Sequence, residues 1–128
     1  MSGVVADTSV WIDFLSGRPA RLLEDALARA SVALPPIVVA ELISGAHRSK
    51  DRRGLLDLLA HLPLSPTPRA HWLRVGDLRR TLRARGLSIS TPDAHVAQCA
   101  LDADALLLAR DAVFDRIALH SALRVGNG

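Results

Sequence analysis

The sequence is poor in the residues that would place it in several common classes. Among 128 residues there is one cysteine, Cys99, so neither an internal disulfide framework nor any Cys-based zinc module is expected. Tyrosine is absent, and there are only two Trp and two Phe. Proteins that stack single-stranded bases on aromatic platforms need several exposed rings, so that mode of nucleic-acid binding is disfavoured. Lysine occurs once, as Lys50, against fifteen arginines, and glutamate occurs twice. No run reaches the ~20 apolar residues of a membrane-spanning helix. The uncharged run Ala30–Ala40 is broken by Pro35 and Pro36. The first segment lacks a basic start and carries Asp7 and Asp13 among its apolar residues. No signal peptide is therefore expected, and a reducing cytoplasm is the expected location, with no membrane partner.

What is present is ordinary for a globular chain: 49% apolar and 23% charged residues, with a net charge of +3. One domain over residues 1–128 is expected, and a chain of this size buries roughly two-thirds of its unfolded surface. Arginine offers a planar fork suited to phosphate, so a nucleic acid contacted through its backbone is a plausible partner. Two basic clusters are available, Arg48/Lys50/Arg52/Arg53 and Arg79/Arg80/Arg83/Arg85. Each is equally well read as a solvated face.

Apolar periodicity alternates between short strands and helices. Strands are expected at Val4–Ala6, Val32–Leu34, Leu62–Leu64, Ala105–Ala109 and Leu123–Val125. Helices are expected at Ser9–Leu15, Pro19–Ala30, Ile37–His47, Asp51–His61, Arg69–Arg85, Thr91 to about Leu101, and Val113–Leu119. Gly86 closes the long amphipathic helix, and Pro92 suits the first turn of the next. The alternation predicts an α/β domain with a short, mostly parallel sheet, whose ligand site lies at the carboxyl ends of its strands.

Four carboxylates stand out by their isolation. Asp7 follows the first strand and is the only charged side chain before Asp13. Glu41 is the only charged residue between Arg29 and Arg48, and Asp93 the only one between Arg85 and Asp102. Asp111 follows the Ala105–Ala109 strand. Each has a local explanation. Asp7 and Asp111 can cap helices, Asp111 can pair with Arg110, Asp93 can favour a helix start, and Glu41 can face solvent. As a set they mean more, because Asp7 and Asp111 leave parallel strands at one edge. Glu41 follows the strand Val32–Leu34 and can project there too. Two like charges ~4 Å apart repel by about 4 kcal/mol at an effective dielectric of 20, and a divalent cation offsets that. Oxygen ligands select Mg²⁺ or Mn²⁺ over zinc.

Val4-Val5-Ala6-Asp7-Thr8-Ser9-Val10-Trp11-Ile12 resembles the opening of PIN-domain ribonucleases. Val39-Ala40-Glu41-Leu42, Thr91-Pro92-Asp93-Ala94-His95-Val96-Ala97 and Ala109-Arg110-Asp111-Ala112-Val113-Phe114 resemble their second, third and fourth motifs. Order, spacing and length are similar to the VapC-type toxins of bacterial toxin–antitoxin pairs, over essentially the whole chain. The resemblance implies a three-layer α/β/α fold and Mg²⁺- or Mn²⁺-dependent endonucleolytic cleavage of RNA. It implies that Asp7, Glu41, Asp93 and Asp111 are the catalytic, metal-holding acids and that Thr8 and Ser9 support them by hydrogen bonding. It also implies a homodimer and an antitoxin partner that blocks the cleft. The fourth motif departs from the pattern: Ala109 stands where a hydroxyl residue is usual, and Asp115 is a nearby substitute for Asp111.

Other constellations fail. The five histidines (47, 61, 71, 95, 120) show no pairwise metal-ligand spacing, and His95 reads as an ordinary, partly exposed residue. Cys99 reads as inert core. No nucleophile elbow or phosphate-cradling glycine loop is present. Two other functions fit the same residues: a catalytically silent PIN-like module that binds RNA or a partner, and another small α/β phosphate-ester hydrolase.

Overall fold

The computed structural model describes residues 3–127. Strand β1 (Val4–Ala6) is followed by helices α1 (Thr8–Leu15) and α2 (Arg21–Ala28), then by β2 (Val32–Ala33). Three helices follow, α3 (Pro36–Ser44), α4 (Ser49–Leu59) and α5 (Arg69–Ala84). The chain ends with α6 (Thr91–Asp102), β3 (Leu106–Leu108), α7 (Ala112–Ala118) and β4 (Arg124–Gly126). The strands form one parallel sheet in the order β2-β1-β3-β4, with Val4 opposite both Val32 and Leu106, and Leu106 opposite Arg124. Helices enclose the sheet as a three-layer α/β/α sandwich. The inner strands are short apolar runs because both their faces are covered. Val5, Ala6, Leu107 and Leu108 are fully buried. Among the described residues no helix is long and apolar enough to cross a membrane.

The expected strand Leu62–Leu64 is reduced to a single parallel bridge between Leu34 and Leu64. Leu34 donates to the Pro63 carbonyl at 2.9 Å, and Ser65 donates to the Leu34 carbonyl at 2.7 Å. Pro35, Pro36 and Pro63 lack the N–H groups that would extend this ladder. Helix ends also differ from expectation. α2 is shorter than Pro19–Ala30, and Ala30 takes a left-handed φ of 53° as the chain turns toward β2. α3 starts at Pro36, a residue suited to a first helical position, and stops before Gly45 rather than reaching His47. α5 ends as expected: Gly86 adopts φ +84°, Leu87 donates to the Leu82 carbonyl and Gly86 to that of Arg83. That pair of bonds is the Schellman closure, which favours glycine at the left-handed position.

The largest interior side chains are Trp11 and Phe114, joined by Leu23, Leu34, Leu82, Leu107, Leu108 and Ile117. α6 is the most deeply set helix, with Ala94 through Ala100 all buried. It packs on α5 more extensively than any other two elements pack. That interface carries a polar chain. His71 Nδ1 lies 2.7 Å from Asp102 Oδ2, and His71 Nε2 lies 2.8 Å from His95 Nδ1. His95 is thus wholly buried, not partly exposed. Burial, helped by the neighbouring His71, pushes its imidazole down to about 4, so it is neutral near pH 7. Cys99 is buried as expected, and burial pushes its thiol up to about 12. Burial would raise the Asp102 carboxyl, but hydrogen bonds from Arg74, Gln98 and His71 outweigh it and hold it at about 2.

The central strand is the place to test the packing. Leu107→Ala, in fully buried β3, is expected to lower unfolding free energy by about 2–5 kcal/mol. Urea unfolding checks this; a midpoint unchanged from the parent would contradict the core assignment.

Candidate active site

The parallel sheet sends the chain ends of β1 and β3 out at one edge. Asp7, the residue after β1, is held there by its own backbone: its N–H donates to the Leu108 carbonyl at 2.9 Å, and its carbonyl accepts from Val10 and Trp11. Asp7 occupies the N-cap position of α1, yet its side chain makes no capping hydrogen bond. The carboxylate is therefore not explained as a cap. Asp111 leaves the same edge beyond β3 and does cap α7, accepting from the Val113 N–H at 2.9 Å. It does not pair with Arg110, which instead binds Asp13 at 3.0 Å, while Arg18 holds Asp13 at 2.8 Å.

Asp93 sits in the first turn of α6, where Ser90 is the N-cap and accepts from the Asp93 N–H at 3.2 Å. Two forces place a carboxylate there: the capping geometry and the positive end of the helix. Glu41 projects from the second turn of α3 and is exposed. The Thr8 hydroxyl donates to Glu41 Oε1 at 2.8 Å, joining the start of α1 to α3. Ser9 behaves differently from Thr8. Its hydroxyl oxygen is buried and makes no hydrogen bond among the described residues.

Electrostatics link all four acids. Burial raises the Asp7 carboxyl from 3.8 to about 6; the Thr8 backbone N–H opposes this, and the charges of Asp93, Glu41 and Asp111 add to it. Asp93 is raised by burial, partly offset by its hydrogen bond with Ser90, and further by Asp111 and Glu41. Among the described residues, every charge that moves Asp7 is negative. Asp115, the possible substitute for Asp111, is exposed on α7 and is not among those charges. The four acids come from four separate segments, so only the tertiary fold brings them into one another's fields.

The four acids are not drawn into a tight cluster. Among the described residues, the one group of three or more His, Cys, Asp or Glu whose ligand atoms lie within 4.8 Å of one another is His71/His95/Cys99, not the acids. An open ring of hard oxygen donors fits Mg²⁺ or Mn²⁺, since Mg²⁺ retains several waters and takes one or two carboxylates directly. The unpaired Ser9 hydroxyl and the one-signed field on Asp7 point the same way: the chain's own residues leave that edge unsatisfied.

A groove of about 620 Å³ runs from Glu41 along α3 and α4. Ile12, Leu15, Leu42, Ala46 and Leu55 supply its apolar wall, and Arg48 and Lys50 its basic border. The first basic cluster therefore reaches the site edge. In the second, Arg79 is committed to the Ile89 carbonyl at 3.0 Å.

Comparison with known proteins bears on this arrangement. No curated protein matches the chain. Among solved structures, VapBC2 from Rickettsia felis bound to a DNA fragment from their promoter superposes with a TM-score of 0.78 at 23% identity, covering 98% of each chain. VapBC-1 from nontypeable Haemophilus influenzae gives a TM-score of 0.76 at 21% identity over 96% of each chain. FitAcB from Neisseria gonorrhoeae gives 0.72 at 21% identity, over 97% of this chain and 96% of that one. At these identities the likeness is one of fold. The model of the PIN domain family matches residues 4–119, and the chain described here belongs to that family.

Proposed function

We infer that this protein is a cytoplasmic, metal-dependent endoribonuclease toxin of the VapC type, held in check by a cognate antitoxin and acting as a homodimer. What supports the reading is that Asp7 and Asp111 leave parallel strands at the same edge and that the charges of Asp93, Glu41 and Asp111 all raise the Asp7 carboxyl. Family membership over residues 4–119 and the fold shared with toxin–antitoxin complexes support it.

In this reading the four acids hold Mg²⁺ or Mn²⁺. Such an ion supplies a Lewis acid for the phosphodiester and lowers the pKa of a water beside it. The rest is done by the chain. Asp7, the most deeply set acid, anchors the ring because its backbone is tied to β3 and α1. Thr8 fixes Glu41 by one carboxylate oxygen and leaves the other free to bind. Ser90 fixes the first turn of α6 and with it Asp93. The N-termini of α6 and α7 lower the cost of two adjacent negative charges. Lys50 lines the path by which an RNA backbone approaches Glu41, with Arg48 beside it paired to Asp51. The antitoxin, in turn, is expected along the same apolar groove.

Asp7→Asn and Asp93→Asn are each expected to lower RNA cleavage at least about 100-fold, the scale of losing a principal electrostatic group, while circular dichroism stays that of the parent. Chelation should abolish cleavage, and Mg²⁺ or Mn²⁺ restore it. Retained cleavage in either folded variant overturns the assignment. A small phosphate ester turned over faster than RNA would favour the phosphatase-like alternative, and no metal-dependent cleavage at all the silent module.

Removing both charges by Arg48→Ala with Lys50→Ala is expected to weaken RNA binding across unrelated sequences. It should reduce the slope of log affinity against log salt by about 1, the phosphate contact of Lys50, since Arg48 is paired with Asp51. Filter binding over a salt series measures this. An unchanged slope would remove that face from the RNA path.

A further inference from the structure

One exposed flank of α5 lies outside the acid site, yet one end of it reaches that site. At about 100° per residue, Trp72, Gly76, Arg79 and Arg83 fall within about 60° of one another, in a single line along the helix. From Trp72 to Arg83 the line runs about 16 Å, at ~1.5 Å per residue. Buried Val75 and Leu82 mark the neighbouring face, which packs inward. Trp72 is 45% exposed. One face of its indole is already covered, stacked on His95 with centroids 4.7 Å apart and planes 8° from parallel. His71 meets the same ring edge-on at 5.0 Å. The indole is therefore set in place before anything binds, with its other face open. Gly76 is exposed, and a Cβ there would meet nothing within 4 Å. Between the ring and the arginines the helix surface is bare.

The arginine end of the line lies beside the acids. α5 and α6 run antiparallel: His71 meets Asp102, 31 residues on, and Arg79 meets Ile89, ten residues on. The separations shrink toward Gly86, so Arg79 and Arg83 flank residues 86–90, the segment that leads into Ser90 and Asp93. Arg79 donates through Nε to the Ile89 carbonyl at 3.0 Å, which fixes its root and leaves its two terminal nitrogens for another acceptor. Among the described residues, neither Arg79 nor Arg83 pairs with a carboxylate, whereas Arg48 pairs with Asp51. A local explanation covers only half of this. Arg83 suits the negative end of α5, where it lies in the last turn. Arg79 lies one turn earlier, and two like charges at that spacing repel.

We propose that this flank of α5 is a track for single-stranded RNA, with phosphates held by Arg79 and Arg83 and one unpaired base laid on Trp72. It rests on the ribonuclease reading and extends it: the strand that crosses the acids continues down α5. A guanidinium fork matches phosphate oxygens, and an aromatic face accepts any base that is not already stacked on both sides. The composition disfavours a platform of several rings; the track needs one, at the end away from the acids. Phosphate contacts then supply the affinity, and the ring favours an unpaired strand over a duplex.

The test uses the full chain in chelator, so that binding is read without cleavage, with a short single-stranded RNA of mixed sequence as the probe. Trp11 is fully buried, so a change in tryptophan emission reports Trp72. RNA should quench that emission saturably and protect it from iodide, and the same RNA annealed to its complement should quench far less. In filter binding, Trp72→Phe should keep most of the affinity, and Trp72→Leu should lose about 5-fold or more, the scale of one lost base stack. Arg83→Ala should reduce the slope of log affinity against log salt by about 1, and Arg85→Ala, on the opposite flank of α5, by less. RNA that binds without changing Trp72 emission overturns the proposal. So does equal quenching by the duplex, or an equal loss of slope in Arg83→Ala and Arg85→Ala. Emission that shifts with protein concentration and then ignores RNA also overturns it, and makes the flank an interface between copies of the chain. Metal-dependent cleavage with Trp72 silent removes the track and leaves the nuclease reading standing; quenching with no cleavage in any metal does the reverse.

Discussion

Like-charge repulsion at the carboxyl edge of the sheet is the constraint around which this molecule is arranged. Asp7 is buried enough to resist ionising, and Asp93, Glu41 and Asp111 each make its charge harder to carry. The fold tolerates this by spreading the acids over four segments and fixing each one separately. Asp7 is held through backbone bonds to β3 and α1, Glu41 through Thr8, Asp93 through Ser90, and Asp111 through Val113. None of these fixings is a salt bridge. Each positions a carboxylate without pairing it with an arginine or lysine among the described residues.

The parallel sheet makes the arrangement possible. Because β1 and β3 run the same way with Ala6 opposite Leu108, the residues that follow them emerge together. Three of the arginines near that edge are engaged elsewhere. Arg110 and Arg18 both serve Asp13, and Arg48 pairs with Asp51 at 2.9 Å. Asp13 thereby takes both cations, and neither of them pairs with Asp111.

Much of this was legible in the sequence, and the reason is local. An apolar run ending in Asp, or a Ser-x-x-Asp start before a buried helix, carries its signal within a few residues. Asp7, Glu41, Asp93 and Asp111 could therefore be picked out by isolation from other charges, and the β1, α5 and α6 segments by period. What escaped is set by partners far apart in the chain. Arg110 and Asp13 are 97 residues apart, so Arg110 reads as a partner of Asp111 until the fold is seen. His71 and His95 are 24 residues apart, with no spacing rule to join them, and meet only because α5 packs along α6. His95 lies beside an isolated acid and reads as an ordinary, partly exposed residue, yet the helix turns it into the core. The one available hint was the composition around it: Ala94, Val96, Ala97 and Ala100 leave a helix with few sides that could face water. The Leu62–Leu64 strand failed for a reason visible in hindsight, since prolines on both sides of the pairing remove the donors it needs.

Thermal unfolding of the parent and of Asp7→Asn, in chelator and then with Mn²⁺, tests the central claim most directly. The Asp7 carboxyl is raised in the folded chain, from 3.8 to about 6. Its ionisation therefore costs the fold nothing at low pH, and the cost grows as pH rises through that interval and is complete above it. At pH 8 in chelator, the account predicts that Asp7→Asn melts a few degrees above the parent, that the gap closes near pH 4, and that Mn²⁺ raises the melting temperature of the parent much more than that of the variant. A variant that melts below the parent at pH 8, with Mn²⁺ acting equally on both, would contradict it.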